Sequence, residues 1–210
     1  RILDCCAGTG IYAFALAKQH RVVAGDLSEK HIAQMKELQK DAPQLEEIHW
    51  LDARHMDIFE DESFDVVLCM GALYHLFSYE DRMNAIRECV RLCKKGGILV
   101  FAYLNKWGNF YNGMINNLKP MDLLYREFDS GNHEDIFFRT TAEEVNAMCQ
   151  ALNLICLRNI GVDHLAFLSS ERIDAMSDEE YAHLLDYQLK ATQEPNIAGA
   201  SLHGLWIGRK

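Results

Sequence analysis

The chain has 210 residues, 49% of them apolar and 25% charged, a composition that suits a globular domain with a sizeable core. Its net charge of −10 opposes binding to a nucleic-acid backbone, and no apolar run approaches the roughly 20 residues that a bilayer-spanning helix needs. Seven cysteines occur without a CxxC pair or a regular framework, and no secretory leader is visible. The expectation is a cytoplasmic protein with reduced, buried thiols.

Residues 2–6 read as a short apolar strand, and "IYAFALAKQH" after it is apolar at helical spacing. "VVAGD" is a second strand bounded by Asp26. Ser28 then caps a polar-faced helix, "EKHIAQMKELQKDA", which Pro43 follows. "EIHWLD" is a third strand. "DESFDVVLCM" is a turn and a fully apolar fourth strand. "SYED" has the form of a capping box and opens a helix to about Arg91, which "KKGG" closes; "ILVFAYL" is the fifth strand. From 105 to 139 the alternation stops and aromatics accumulate: Trp107, Phe110, Tyr111, Tyr125, Phe128, Phe137 and Phe138. Thr141 with Glu144 caps a helix to about Leu152, "LICLRNIGV" is a sixth strand, and Ser177 with Glu180 caps another helix. "SLHGLWIGRK" is a last strand with no crossover helix before it on the sheet, so it runs antiparallel to its neighbours.

The expected fold is α/β: a doubly wound seven-stranded sheet, mostly parallel with an antiparallel last strand, and helices on both faces. One domain carries an insert at about 105–139 and a lid segment at about 163–200.

Asp4, Asp26 and Asp52 each end one of the first three strands, so they share the sheet edge where open α/β folds bind ligands. A small-residue turn before a helix, with an acid about 20 residues on, suits a nucleoside: glycines admit the ligand to the backbone and the acid holds ribose hydroxyls. "GTGIYA" also matches the dinucleotide pattern, although Asp4 would crowd a pyrophosphate with negative charge. Taken singly, each acid reads equally as a solvated strand end or a helix cap.

At this point the chain resembles the class I S-adenosylmethionine-dependent methyltransferases, and within them the small-molecule branch. "ILDCCAGTG" is similar to their first motif, with Cys6 standing where its first glycine is usual. Asp26 in "VVAGDLS" matches the ribose-binding acid, and Asp52 with Ala53 in "WLDARHMD" matches the adenine-reading pair. "FDVVLCMGALYHL" and "RLCKKGGILVF" match the fourth and fifth strand regions. The resemblance implies S-adenosyl-L-methionine held by Asp4, Cys6, Gly8, Gly10, Asp26, Leu27, Asp52, Ala53, Met70 and Gly71. Such proteins usually carry a helical segment before the first strand; this chain opens on that strand, so an N-terminal cap is expected to be missing.

His75, just past the fourth strand, reads as a general base or as a structural histidine. Tyr74, Tyr12 and His203 are candidates of the same kind. Trp107 and Tyr111, with Leu165, Phe167, Tyr181 and Tyr187, would line an acceptor pocket or anchor their own segments. His and Cys lack metal-ligand spacing, so no metal is expected. The expected partner is a small-molecule acceptor, with no nucleic acid and no membrane. An NAD-dependent oxidoreductase and a non-catalytic cofactor-binding scaffold are the alternative readings.

Overall fold

The computed structural model describes residues 1–42, 44–132, 136–192, 194 and 198–210. Pro43, read above as a helix stop, lies outside the described residues, as do 133–135 of the insert and 193 and 195–197 of the lid segment. The chain divides into two compact units, one of residues 1–102, 148–157 and 207–210, the other of 103–147 and 158–206.

In the first unit, β1 (Ile2–Asp4), β2 (Val22–Asp26), β3 (Glu47–Trp50) and β4 (Phe64–Cys69) are parallel neighbours. Their runs are apolar because helices cover them: Leu3, Val22, Val23, Ala24, Phe64 and Val67 are fully buried. Each of these Leu, Val and Phe side chains contributes about 1.5–3 kcal/mol on burial. Helix α1 (Ile11–Ala17) follows β1, and α2 (Glu29–Leu38) follows β2. Ser28 caps α2, its hydroxyl accepting from the His31 amide, as the sequence pattern predicts. Helix α3 (Tyr79–Leu92) is capped in the same way by Ser78 and buries Met83, Ile86, Cys89 and Leu92.

The sequence "KKGG" does not close α3. That helix ends at Leu92, and β5 (Cys93–Asn105) begins immediately with those residues extended. The reason is pairing at the chain's end: Gly96 donates to the Lys210 carbonyl, and the Lys210 amide donates back to Gly97. Gly96 has φ +75, and the β4–β5 register slips between Phe64 and Val66, so the glycines form a bulge inside a strand.

The sheet order is β3-β2-β1-β4-β5-β8-β7, where β7 is Ile155–Gly161 and β8 is His203–Arg209. β8 is antiparallel to its neighbours, as expected for a strand lacking a crossover helix. An eighth, two-residue strand, β6 (Arg139–Thr140), pairs parallel with the end of β5.

The second unit holds two helices where the strand–helix alternation stops, α4 (Lys106–Ile115) and α5 (Met121–Ser130), the latter made of good helix formers between Pro120 and a left-handed Gly131. Glycines and asparagines give α4 poor intrinsic helix propensity. Packing overrides it: a Cβ at Gly108 would stand 2.0 Å from the Ser201 carbonyl oxygen, and one at Gly113 would stand 2.6 Å from Leu124. Trp107 lies against Phe128 with ring centroids 4.4 Å apart, and Phe110 stacks with Tyr125 at 6.2 Å. Glu127, buried, takes two hydrogen bonds from the Lys119 ammonium at 2.7 and 2.9 Å. α6 (Ala142–Gln150) starts at a capping box of Thr141 and Glu144, and α8 (Asp178–Ala191) at one of Ser177 and Glu180; both were legible in sequence. α7 (Ser170–Asp174) is a short exposed helix before α8.

Candidate active site

A cavity of about 480 Å³ opens in the first unit at the carboxyl ends of β1, β2 and β4. Its position follows the general rule for open α/β sheets. It gathers Cys6, Gly8, Asp26, Leu27, Asp52, Ala53, Met70, Gly71, Tyr74 and His75 from the sequence-derived set. Asp4 and Gly10 do not line it. Gly10 is the N-cap of α1 in a left-handed conformation, φ 89, with a role in the turn. His203 lies in the second unit, paired with Asp163 at 2.6 Å.

The loop of residues 5–10 is stapled from both sides. The Cys5 amide donates to the Leu68 carbonyl at 3.0 Å, the Ala7 amide to Gly25 at 2.9 Å, and the Gly8 amide to the Asp26 carboxylate at 2.8 Å. Gly8 has φ 56, and a Cβ built on it would meet no atom within 4 Å, which leaves the backbone open to a ligand. Asp26 also accepts from the Ser28 amide at 2.9 Å and lies 3.0 Å from Nδ1 of His31. A carboxylate has about four acceptor positions. Three are engaged here, so a hydroxyl can still be received.

Asp52 does not end a strand: β3 stops at Trp50, and Asp52 sits in a tight turn bridged to His55. Arg54 grips it with Nε at 3.0 Å and Nη2 at 2.7 Å, and reaches Asp81 at 3.4 Å. The Arg54 guanidinium therefore holds the Asp52 carboxyl below its ordinary range. Arg54 and His31 were missed in sequence. The signal available was local: a cation two residues beyond Asp52, and a histidine at the third position after the Ser28 cap.

Asp4 lies at the end of β1, 1% exposed, and neither carboxylate oxygen has a hydrogen-bond partner among the described residues. Burial raises its pKa from 3.8 to about 7; the nearby Cys6 amide opposes that shift in part. An uncompensated buried acid beside the loop suits a cationic group and repels a pyrophosphate.

Tyr74 and His75 come from a short 3-10 turn, Ala72–Tyr74, after β4. The Tyr74 hydroxyl donates to the Met70 carbonyl at 3.0 Å, and burial raises its pKa. Arg82 of α3, 7% exposed, holds the following residues by donating to the carbonyls of Leu76 at 2.7 Å and Phe77 at 2.9 Å. Replacing Arg82 with alanine is expected to lower unfolding stability by about 3 kcal/mol, because charged hydrogen bonds contribute about 1.5–3 kcal/mol each and two are lost. Urea unfolding of the two proteins checks it.

The thiols are partly as expected. Cys5, Cys69, Cys89, Cys93 and Cys149 are buried and free, while Cys156 is exposed. No cysteine spacing suggested a metal site, yet the fold brings the Sγ atoms of Cys5, Cys69 and Cys89 within 4.8 Å of one another.

A family model described as a methyltransferase domain matches residues 3–101. The ubiquinone biosynthesis O-methyltransferase of Paracidovorax citrulli is 33% identical over 170 residues, covering 78% of this chain and 67% of that relative. The protein of the same name from Hydrogenovibrio crunogenus is 27% identical over 192 residues, covering 90% and 76%. Among solved structures, a SAM-dependent methyltransferase from Methanosarcina mazei superposes with a TM-score of 0.67 at 17% identity, covering all of this chain and 91% of that one, which shows the shared fold. With a glycine loop and a free acceptor position on Asp26 in the cavity, and the orphaned Asp4 immediately before that loop, these residues fit the cofactor the relatives imply, and the chain belongs to the class I S-adenosylmethionine-dependent methyltransferases.

Proposed function

We propose that this chain transfers a methyl group to a hydroxyl of a small, partly apolar acceptor. The observation that carries this reading is the cavity, where the Gly8 loop, Asp26, the Asp52–Ala53 turn, Met70 and Gly71 converge beside an unpartnered Asp4. The relatives named as O-methyltransferases favour oxygen as the accepting atom.

S-adenosylmethionine supplies an activated methyl group on a sulfonium. The chain's residues bind, orient and exclude water. Asp26 is assigned the ribose, Asp52 with Ala53 the adenine, and Asp4 the cationic amino-acid end, with Cys6, Gly8, Leu27, Met70 and Gly71 shaping the surface and Gly10 holding the turn. Positioning of this kind supplies up to about 7–11 kcal/mol of barrier reduction. His75 and Tyr74, which line the cavity, are assigned the receiving or holding of an acceptor proton.

Acceptor selection is assigned to residues 105–139 and 163–200. Within the first, Trp107, Phe110, Tyr111, Tyr125 and Phe128 form a continuous aromatic group. Substituting Trp107 and Tyr111 with alanine is expected to preserve cofactor affinity while turnover of a found acceptor drops by about tenfold or more, as for lost apolar pocket contacts. Unchanged turnover with a lowered melting temperature would make the aromatic group scaffold only. The acidic net charge supports an acceptor other than nucleic acid, and a cytoplasmic location belongs to the same reading.

Calorimetry with S-adenosylhomocysteine and with NAD tests the cofactor half of the reading. A screen of small hydroxylated acceptors, read by S-adenosylhomocysteine release, tests the rest. Binding of NAD alone, or tight cofactor binding without turnover of any acceptor, would overturn the enzymatic reading.

A further inference from the structure

We propose that Cys5, Cys69 and Cys89 form a binding site for one thiophilic divalent ion of the zinc class, adjoining the cofactor cavity. The three residues come from separate elements. Cys5 follows β1, Cys69 is the last residue of β4, and Cys89 lies on α3. The parallel register that sets Asp4 against Leu68 places Cys5 beside Cys69, and α3 packs its buried face, including Cys89, against them. Their Sγ atoms all lie within 4.8 Å of one another and all three side chains are buried. A fourth sulfur is near: Cys6 Sγ lies 3.9 Å from Cys5 Sγ.

These distances are close to what coordination needs. Zinc–thiolate bonds of about 2.3 Å put the sulfurs of a trigonal or tetrahedral site about 4 Å apart. Small side-chain rotations therefore close the site without moving strands. Cys5 and Cys6 line the cavity, which supplies the entry path to the otherwise closed cluster. The chemistry balances simply: three thiols release three protons as three sulfur–metal bonds form, with no change in oxidation state. Isolated buried cysteines pack as small apolar side chains, as Cys149 does. Convergence of three, with a fourth in reach, distinguishes this cluster. An ion here would tie the first residue of the cofactor loop to β4 and α3.

The test uses the full chain, reduced and stripped with a chelator, then titrated anaerobically with Cd²⁺ as the optical probe. The expected result is thiolate-to-metal charge-transfer absorption saturating at one ion per chain, native circular dichroism throughout, a raised melting temperature, and displacement of the signal by Zn²⁺. Cys69→Ser and Cys89→Ser should each weaken Cd²⁺ binding by about 100-fold or more, because each removes a coordinating thiolate. Cys156→Ser should leave binding unchanged. No charge-transfer absorption in the unmodified protein would overturn the proposal, as would absorption that depends on Cys156 or that accompanies loss of native circular dichroism. The titration of the unmodified protein decides even where a serine variant fails to fold. It needs no cofactor, so its failure is independent of the methyl-transfer reading.

Discussion

Replacing Asp26 with alanine is expected to weaken S-adenosylhomocysteine binding by about 10- to 100-fold, since a hydrogen bond to a charged group contributes about 1.5–3 kcal/mol. Two effects combine. The ribose contact assigned to Asp26 is removed, and the Gly8 and Ser28 amides lose the carboxylate that receives them at 2.8 and 2.9 Å. The melting temperature of the unliganded protein should fall as well, because those amides lose their partners. Asp26→Asn keeps one acceptor oxygen and should fall between the two. Calorimetry and thermal unfolding on the same samples separate the effects. Unchanged affinity with lowered stability would confine Asp26 to holding the loop.

Asp4→Asn should move stability and binding in opposite directions. The carboxyl is buried with neither oxygen hydrogen-bonded among the described residues, so ionising it in the folded chain is unfavourable. Removing the charge should raise the melting temperature of the unliganded protein, by an amount corresponding to about 1 kcal/mol or more. The same change removes the negative charge assigned to the cofactor's cationic end. Affinity should therefore fall by about tenfold or more, the weight of one charge-assisted contact. A variant less stable than the parent, with unaltered affinity, would show that Asp4 is a structural acid.

Local chemistry made much of this molecule readable from its sequence. Apolar runs of the right length marked the strands. Ser28, Ser78, Thr141 and Ser177 marked helix starts, and each of these caps is present. Gly8 of the opening loop and Asp26 do meet at one cavity, because those residue types answer to backbone geometry and hydrogen bonding at the strand ends. The antiparallel last strand followed from the missing crossover helix.

What the sequence could not show depends on residues far apart in the chain. "KKGG" looked like a helix stop, and Lys210 made it a strand by pairing with it. Helix α4 forms in a stretch of weak propensity because Gly108 and Gly113 allow close packing against Ser201 and Leu124. Arg82 carries no signal in the sequence, yet folding buries it against the carbonyls of Leu76 and Phe77. Asp52 kept its place at the cavity, but its grip by Arg54 appeared only when the turn formed. Cys5, Cys69 and Cys89 have no meaningful spacing in sequence; the parallel register of β1 and β4 and the buried face of α3 bring them together. Periodicity and capping are properties of neighbouring residues, and sequence determines them directly. Convergence is a property of how strands register and helices pack, and only the tertiary structure decides it.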